Sequence, residues 1–156
     1  MAGEARGILE PADPGFEARV RESFARQGAM AHLGAVLGRV EPGVAEIALD
    51  FRPELSQQHG FFHAGIVATV AGSAGGYAAY TLFPAEDGVL TVEFKVNLMA
   101  PADGDRIVAT GRVLRAGRTL TVAQFDVRVH KAGRETHCAT GLQTIMRITG
   151  RQAVRG

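Results

Sequence analysis

This chain of 156 residues has one cysteine (Cys138), no tryptophan and two tyrosines. A lone cysteine excludes an internal disulfide and any zinc site built from several cysteines, and it suits a reducing compartment. Charge of one sign is missing too. The 17 Lys and Arg are scattered and balanced by 16 acids, without the basic stripe and aromatics that nucleic-acid binding requires, so no nucleic-acid partner is expected. The longest apolar run, Ile66 to Tyr80, is too short and too rich in glycine to span a membrane. The opening residues, MAGEARGILEPADPGF, lack the basic start and apolar run of a signal peptide. A cytoplasmic protein with no membrane partner is expected.

What is present fits one globular domain: hydrophobic residues make up 46% and charged residues 21%, enough for a single core. Residues 1 to 14 read as a flexible lead-in broken by Pro11 and Pro14, and residues 15 to 150 as the domain. Phe16, Val20 and Phe24 recur at helical spacing with charges between them, and Gly28 reads as the stop of this amphipathic helix. Ala35 to Val40 and Ala45 to Phe51 form β-like runs around the turn Glu41-Pro42-Gly43. Four further strands, Val89 to Met99, Arg106 to Leu114, Thr119 to His130 and Glu135 to Ile148, are separated by short turn signals and read as a meander. Alternation is clearest in the third of these: Ala123, Phe125, Val127 and Val129 share one face, and Gln124, Asp126, Arg128 and His130 the other.

Between hairpin and meander lies QQHGFFHAGIVATVAGSAGGYAAY, residues 57 to 80, the long apolar segment with helical character. Its internal glycines, Gly72, Gly75 and Gly76, each cost about 1 kcal/mol relative to alanine, so a close neighbour is expected to need the thinness. The fold class is α+β, with a sheet covering one central helix. His59 and His63 sit where loop becomes helix, and a helix start offers unbonded N–H groups and a positive dipole end.

This order of elements resembles the hotdog fold, in which a curved antiparallel sheet wraps a central helix, and in particular the phenylacetate-degradation (PaaI-like) family of acyl-CoA thioesterases. The resemblance runs from about Leu33 to Ile148 and rests on QQHGFFHAG at 57 to 65, on the helix after it, and on LTVEFKVNLMAPADGDRIVATGRVLRAGRTLTVAQFDV at 90 to 127. It implies hydrolysis of acyl-CoA to free acid and CoA, with backbone N–H groups of Ala64 or Gly65 polarising the thioester carbonyl behind His63. It also implies that Gln57 and Thr91 hold the lytic water. No cofactor is implied. The resemblance further implies a homodimer, or a dimer of dimers, with active sites at the subunit interface, which would also bury an otherwise exposed sheet edge.

The family's catalytic carboxylate falls nine residues after His63, where this chain has Gly72. Glycine has no side chain to act as base or nucleophile. Three explanations stay open: an introduced substitution, a natural variant using another acid such as Glu93, or an acyl-CoA binding module that does not hydrolyse. Glu93 is two residues from Thr91, which in a regular strand puts both on one face. Among substrate-binding candidates, His59 and Phe62 are expected to line the pocket, and Arg115 and Arg118 to reach the CoA phosphates. Phe61 and Tyr77 add apolar character. No metal site is expected at His32, His130 or His137. Cys138 reads as a small buried hydrophobe.

Overall fold

The computed structural model describes residues 9–154. Helix α1 (Phe16–Ala25) buries Val20 and Ser23, and its Phe16 and Phe24 pack partly buried against the core. The expected stop at Gly28 is instead the first residue of a second short helix, α2 (Gly28–Leu33). Met30 and Leu33, one turn apart, are both buried there, and Gly34 ends the helix in the left-handed conformation at φ 77°. Strands β1 (Val36–Glu41) and β2 (Val44–Asp50) form the expected hairpin, closed by Gly43 at φ 75°.

The central helix α3 (Ala64–Tyr80) follows, then β3 (Gly88–Leu98), β4 (Arg106–Ala116), β5 (Leu120–Lys131) and β6 (Arg134–Ile148). All six strands form one sheet in the order β1-β2-β4-β5-β6-β3, with every pair antiparallel. The meander therefore holds for β4, β5 and β6 but fails for β3. β3 pairs with β6 at the far edge, while β2 takes the place beside β4. The Pro101 to Asp105 stretch is a crossing loop rather than a hairpin turn. Its backbone is tied on the way, Met99 N–H to the Cys138 carbonyl at 2.8 Å and Asp105 N–H to the His130 carbonyl at 2.8 Å. Turn-type residues mark an end to a strand but not which neighbour comes next.

The sheet curves around α3, the hotdog arrangement. Its inner face presents the predicted residues of β5: Ala123, Phe125 and Val127 are fully buried and Val129 nearly so. Burying a side chain such as Phe125 contributes about 1.5–3 kcal/mol. α3 is held close because small residues meet: the Ala74 carbonyl lies against Gly111 of β4, where any Cβ would collide with it. At the other end of α3, the Arg19 guanidinium donates to the Phe83 carbonyl at 2.8 Å and lies 4.2 Å from the centroid of the Tyr80 ring.

The expected flexible lead-in lies outside the described residues over 1–8. Over 9–14 the chain is tied down: Leu9 packs against the core, Ala12 N–H donates to the Leu82 carbonyl at 3.3 Å, and Asp13 pairs with Arg19 at 2.9 Å. Proline breaks regular structure there without preventing these contacts. No helix of the described residues is long and apolar enough to cross a membrane.

Candidate active site

The loop before α3 is built by its own backbone. Gln57 N–H donates to the Phe61 carbonyl at 2.9 Å, Gly60 N–H to the Gln57 carbonyl at 3.0 Å, and His63 N–H to the Leu55 carbonyl at 2.9 Å. Gly60 permits this reversal at φ 81°. The Gln57 side chain accepts from His59 N–H, so its carbonyl oxygen is committed to the loop.

His63 is the N-cap of α3. Its Nδ1 accepts from Gly65 N–H at 2.9 Å, which places the ring proton on Nε2 when the ring is neutral. The His63 carbonyl accepts from Ile66 N–H at 2.9 Å and from Val67 N–H at 3.1 Å. Of the first-turn donors, only Ala64 N–H has no acceptor among the described residues. The expectation of Ala64 or Gly65 as donor narrows accordingly: Gly65 N–H is occupied by the cap, and Ala64 N–H is available.

Two cavities flank this helix. One, about 440 Å³, is lined by Gln57, Phe61, Phe62, Ala64, Met99 and Cys138, among others. The other, about 590 Å³, runs along α3 past Gly65, Ala68, Gly72 and Gly76 to Gln27 and Tyr77, and β3 closes it with Thr91 and Phe94. Within one chain, Gln57 and Ala64 thus open on a different cavity from Gly72 and Thr91. Neither cavity is lined by an Asp or Glu.

Gly72 faces open space, for a Cβ built there meets nothing within 4 Å. The close approach that three glycines suggested is real at Gly75, where Gln143 occupies the space, and is not what glycine serves at position 72. Glu93 is a correction. The β3–β6 register slips by one between Thr91, opposite Ile145, and Glu93, opposite Thr144. This bulge turns Glu93 to the outer face, where Thr144 Oγ1 donates to it at 3.0 Å, while Thr91 looks towards α3. The rule of two residues per face fails because Val92 is an extra residue in the ladder.

The remaining candidates divide. Phe62 lines the Gln57 cavity but is 3% exposed and packs edge-on against Phe51 with centroids 5.2 Å apart, so it belongs as much to the core as to the cavity. His59 lines neither of the two cavities and lies 3.4 Å from Gln58. Arg115 and Arg118 are exposed at the β4–β5 turn, at the end of the sheet where β3 begins, since Leu120 and Leu90 both oppose Met146. Cys138 is buried, which pushes its thiol pKa up. His137 lies on the outer face, 3.0 Å from Asp126 of β5. Burial likewise raises the Tyr77 pKa, against an opposing hydrogen bond with Ser23 at 3.2 Å.

Sequence reasoning missed Gln143. This side chain is 2% exposed, and its Nε2 donates to the Gly72 carbonyl at 3.1 Å and to Thr91 Oγ1 at 3.3 Å. Assigning faces along β6 would have found it, as a glutamine on the buried face alongside Ala139 and Ile145.

Comparison with known proteins agrees with this architecture. A solved thioesterase family protein from Silicibacter pomeroyi is 48% identical, covering 87% of this chain and all of that one, with a TM-score of 0.86. The PaaI protein of the E. coli phenylacetic acid degradation operon shares the fold at 18% identity, covering 86% of this chain and 94% of that one, with a TM-score of 0.75. A Saccharolobus solfataricus protein provisionally named an esterase is 29% identical over 80% of this chain and 81% of its own. The sequence profile of the Thioesterase superfamily matches residues 59–138, and the chain belongs to that family.

Proposed function

We propose that this protein hydrolyses acyl-CoA thioesters to the free acid and CoA. The observation that carries the reading is Ala64 N–H, which has no acceptor among the described residues at the positive end of α3 while His63 ties back Gly65, and which opens on an apolar cavity. A donor aimed at the developing oxyanion is worth about 2.7–4 kcal/mol where one has been removed from other enzymes. The water oxygen adds to the thioester carbon and gives up a proton, the C–S bond breaks, and that proton goes to the departing sulfur, so that CoA leaves as the thiol and the acid remains. Thr91 holds the water, and Gln57, through the loop it closes, holds the Ala64 backbone in place. Arg115 and Arg118 meet the CoA phosphates.

A complete site takes two copies. β3 is a sheet edge of 11 residues, and Leu90, Val92, Phe94 and Leu98 on it are 47–55% exposed. Such an edge invites pairing. Joining two copies there, as a homodimer or a dimer of dimers, would bring the Ala64 cavity of one towards Gly72 and Thr91 of the other. With its one cysteine buried, the chain suits a reducing cytoplasm.

A second reading is favoured by one observation: no carboxylate lines either cavity, and Gly72 stands at the position the family gives to its acid. On that reading the protein binds acyl-CoA without turning it over. Thiol release from aryl- and alkyl-CoA esters, measured beside their binding, separates the two readings. Release supports hydrolysis, binding alone supports the module, and neither overturns both.

A further inference from the structure

Gln143 is out of place on energetic grounds. It sits on the inner face of β6 in a cross-strand row with Ala123 and Phe94, where an apolar side chain of its size would pack without desolvating an amide. Its Oε1 is buried and has no hydrogen-bond partner among the described residues. Leaving an acceptor unpaired in the core costs stability, so the amide is there for what its other end does.

That other end spans the two residues that face each other across the Gly72 cavity. Nε2 donates one hydrogen to the Gly72 carbonyl and the second to Thr91 Oγ1. Rotating the amide would set Oε1 against the Gly72 carbonyl, acceptor against acceptor, so the orientation follows from the contacts. A hydroxyl that accepts at one lone pair keeps its own proton for another partner. With Gln143 behind it, Thr91 has that proton free for a partner in the 590 Å³ cavity, which both Thr91 and Gly72 line. Gly75 completes the device, because any side chain there would displace the amide.

We propose that Gln143 is a positioning residue of the site: it fixes Thr91 as a hydrogen-bond donor to the water or thioester oxygen in the cavity. The inference rests on the thioester-hydrolase reading. Gln143 does not line the cavity and acts through Thr91.

A double-mutant cycle tests it, using wild type, Gln143→Met, Thr91→Val and the double variant. Thiol release from benzoyl-CoA and butyryl-CoA is read as kcat and KM, or as Kd by equilibrium dialysis if the wild type binds without turnover. Gln143→Met is expected to lower kcat/KM, or binding, roughly three- to tenfold, the worth of one hydrogen bond. In the Thr91→Val background the same change is expected to do nothing further, which a merely structural role would not produce. Gln143→Leu, apolar and of similar volume, cannot donate either and serves as the second variant should Met perturb folding; it is expected to show the same loss and the same dependence on Thr91. Effects that simply add overturn the assignment and leave the hydrolase reading standing. A wild type that neither releases thiol nor retains either ester overturns both.

Discussion

Gln143 Oε1 occupies the space that a side chain on Gly75 would need, whereas three residues earlier on the same helix Gly72 looks into an open cavity. Two glycines that are equivalent in sequence therefore answer to different physics. Gly75→Ala must push a buried amide out of its hydrogen bonds and is expected to destabilise the protein by about 1–3 kcal/mol. Gly72→Ala removes a helix-weakening glycine without a clash and should stabilise it by about 1 kcal/mol. Urea unfolding of the two variants checks this, and equal effects would contradict it.

The cap at His63 gives a second expectation. His63→Ala removes the acceptor for Gly65 N–H and should cost about 1 kcal/mol, the usual worth of an N-cap. His63→Asn, with a side-chain oxygen in reach, should recover most of it. Thermal unfolding reads both, and an Asn variant no better than Ala would show that the ring acts by packing instead.

Alkaline pH should destabilise this protein through two buried acids. Burial raises the Cys138 thiol above its ordinary 9.0, and burial raises the Tyr77 phenol above its ordinary 10.0. A folded-state pKa above the unfolded value means that the native state binds more protons between the two. Stability is then full below the unfolded pKa and falls as pH rises from there towards the folded pKa. Denaturant unfolding should weaken from about pH 9 upward. Cys138→Ala should lower stability at neutral pH but flatten the alkaline slope, and an unchanged slope would assign the loss elsewhere.

The exposed β3 edge is where the proposed dimer would join. Val92 is 55% exposed there, and a lysine in its place puts charge on the edge, a common block to strand pairing. Sedimentation should show the wild type as a dimer or larger and Val92→Lys shifted towards monomer. A Val92→Lys dimer as tight as the wild type would move the interface to another surface.

Much of this was legible in the sequence, and what was not has specific causes. The alternation of β5 followed from spacing because one face of it is buried, the hairpin from its turn residues, and the central helix from a long apolar run of small residues without alternation. The place of β3 did not, because residues such as Pro101 and Gly104 look alike in a hairpin turn and in a loop crossing the sheet. Glu93 was placed on the wrong face because a bulge adds one residue, Val92, without any mark in composition. The bond from Gly65 N–H to His63 Nδ1 was not specified by the sequence, because it depends on a side-chain rotamer that spacing does not encode. Gln143 lies 52 residues from Thr91 in sequence, and only the β3–β6 pairing brings them together.

The central claim is that this is a thioester-hydrolase site whose carboxylate position is Gly72. The most direct test is thiol release from benzoyl-CoA and butyryl-CoA by the wild type and by Gly72→Asp, which has room for its side chain. A general base contributes about 10²–10⁴-fold, so the account predicts slow release by the wild type and a rise in kcat of that order for Gly72→Asp, with KM little changed. A Gly72→Asp variant that folds and binds the esters yet releases thiol no faster than the wild type would contradict it.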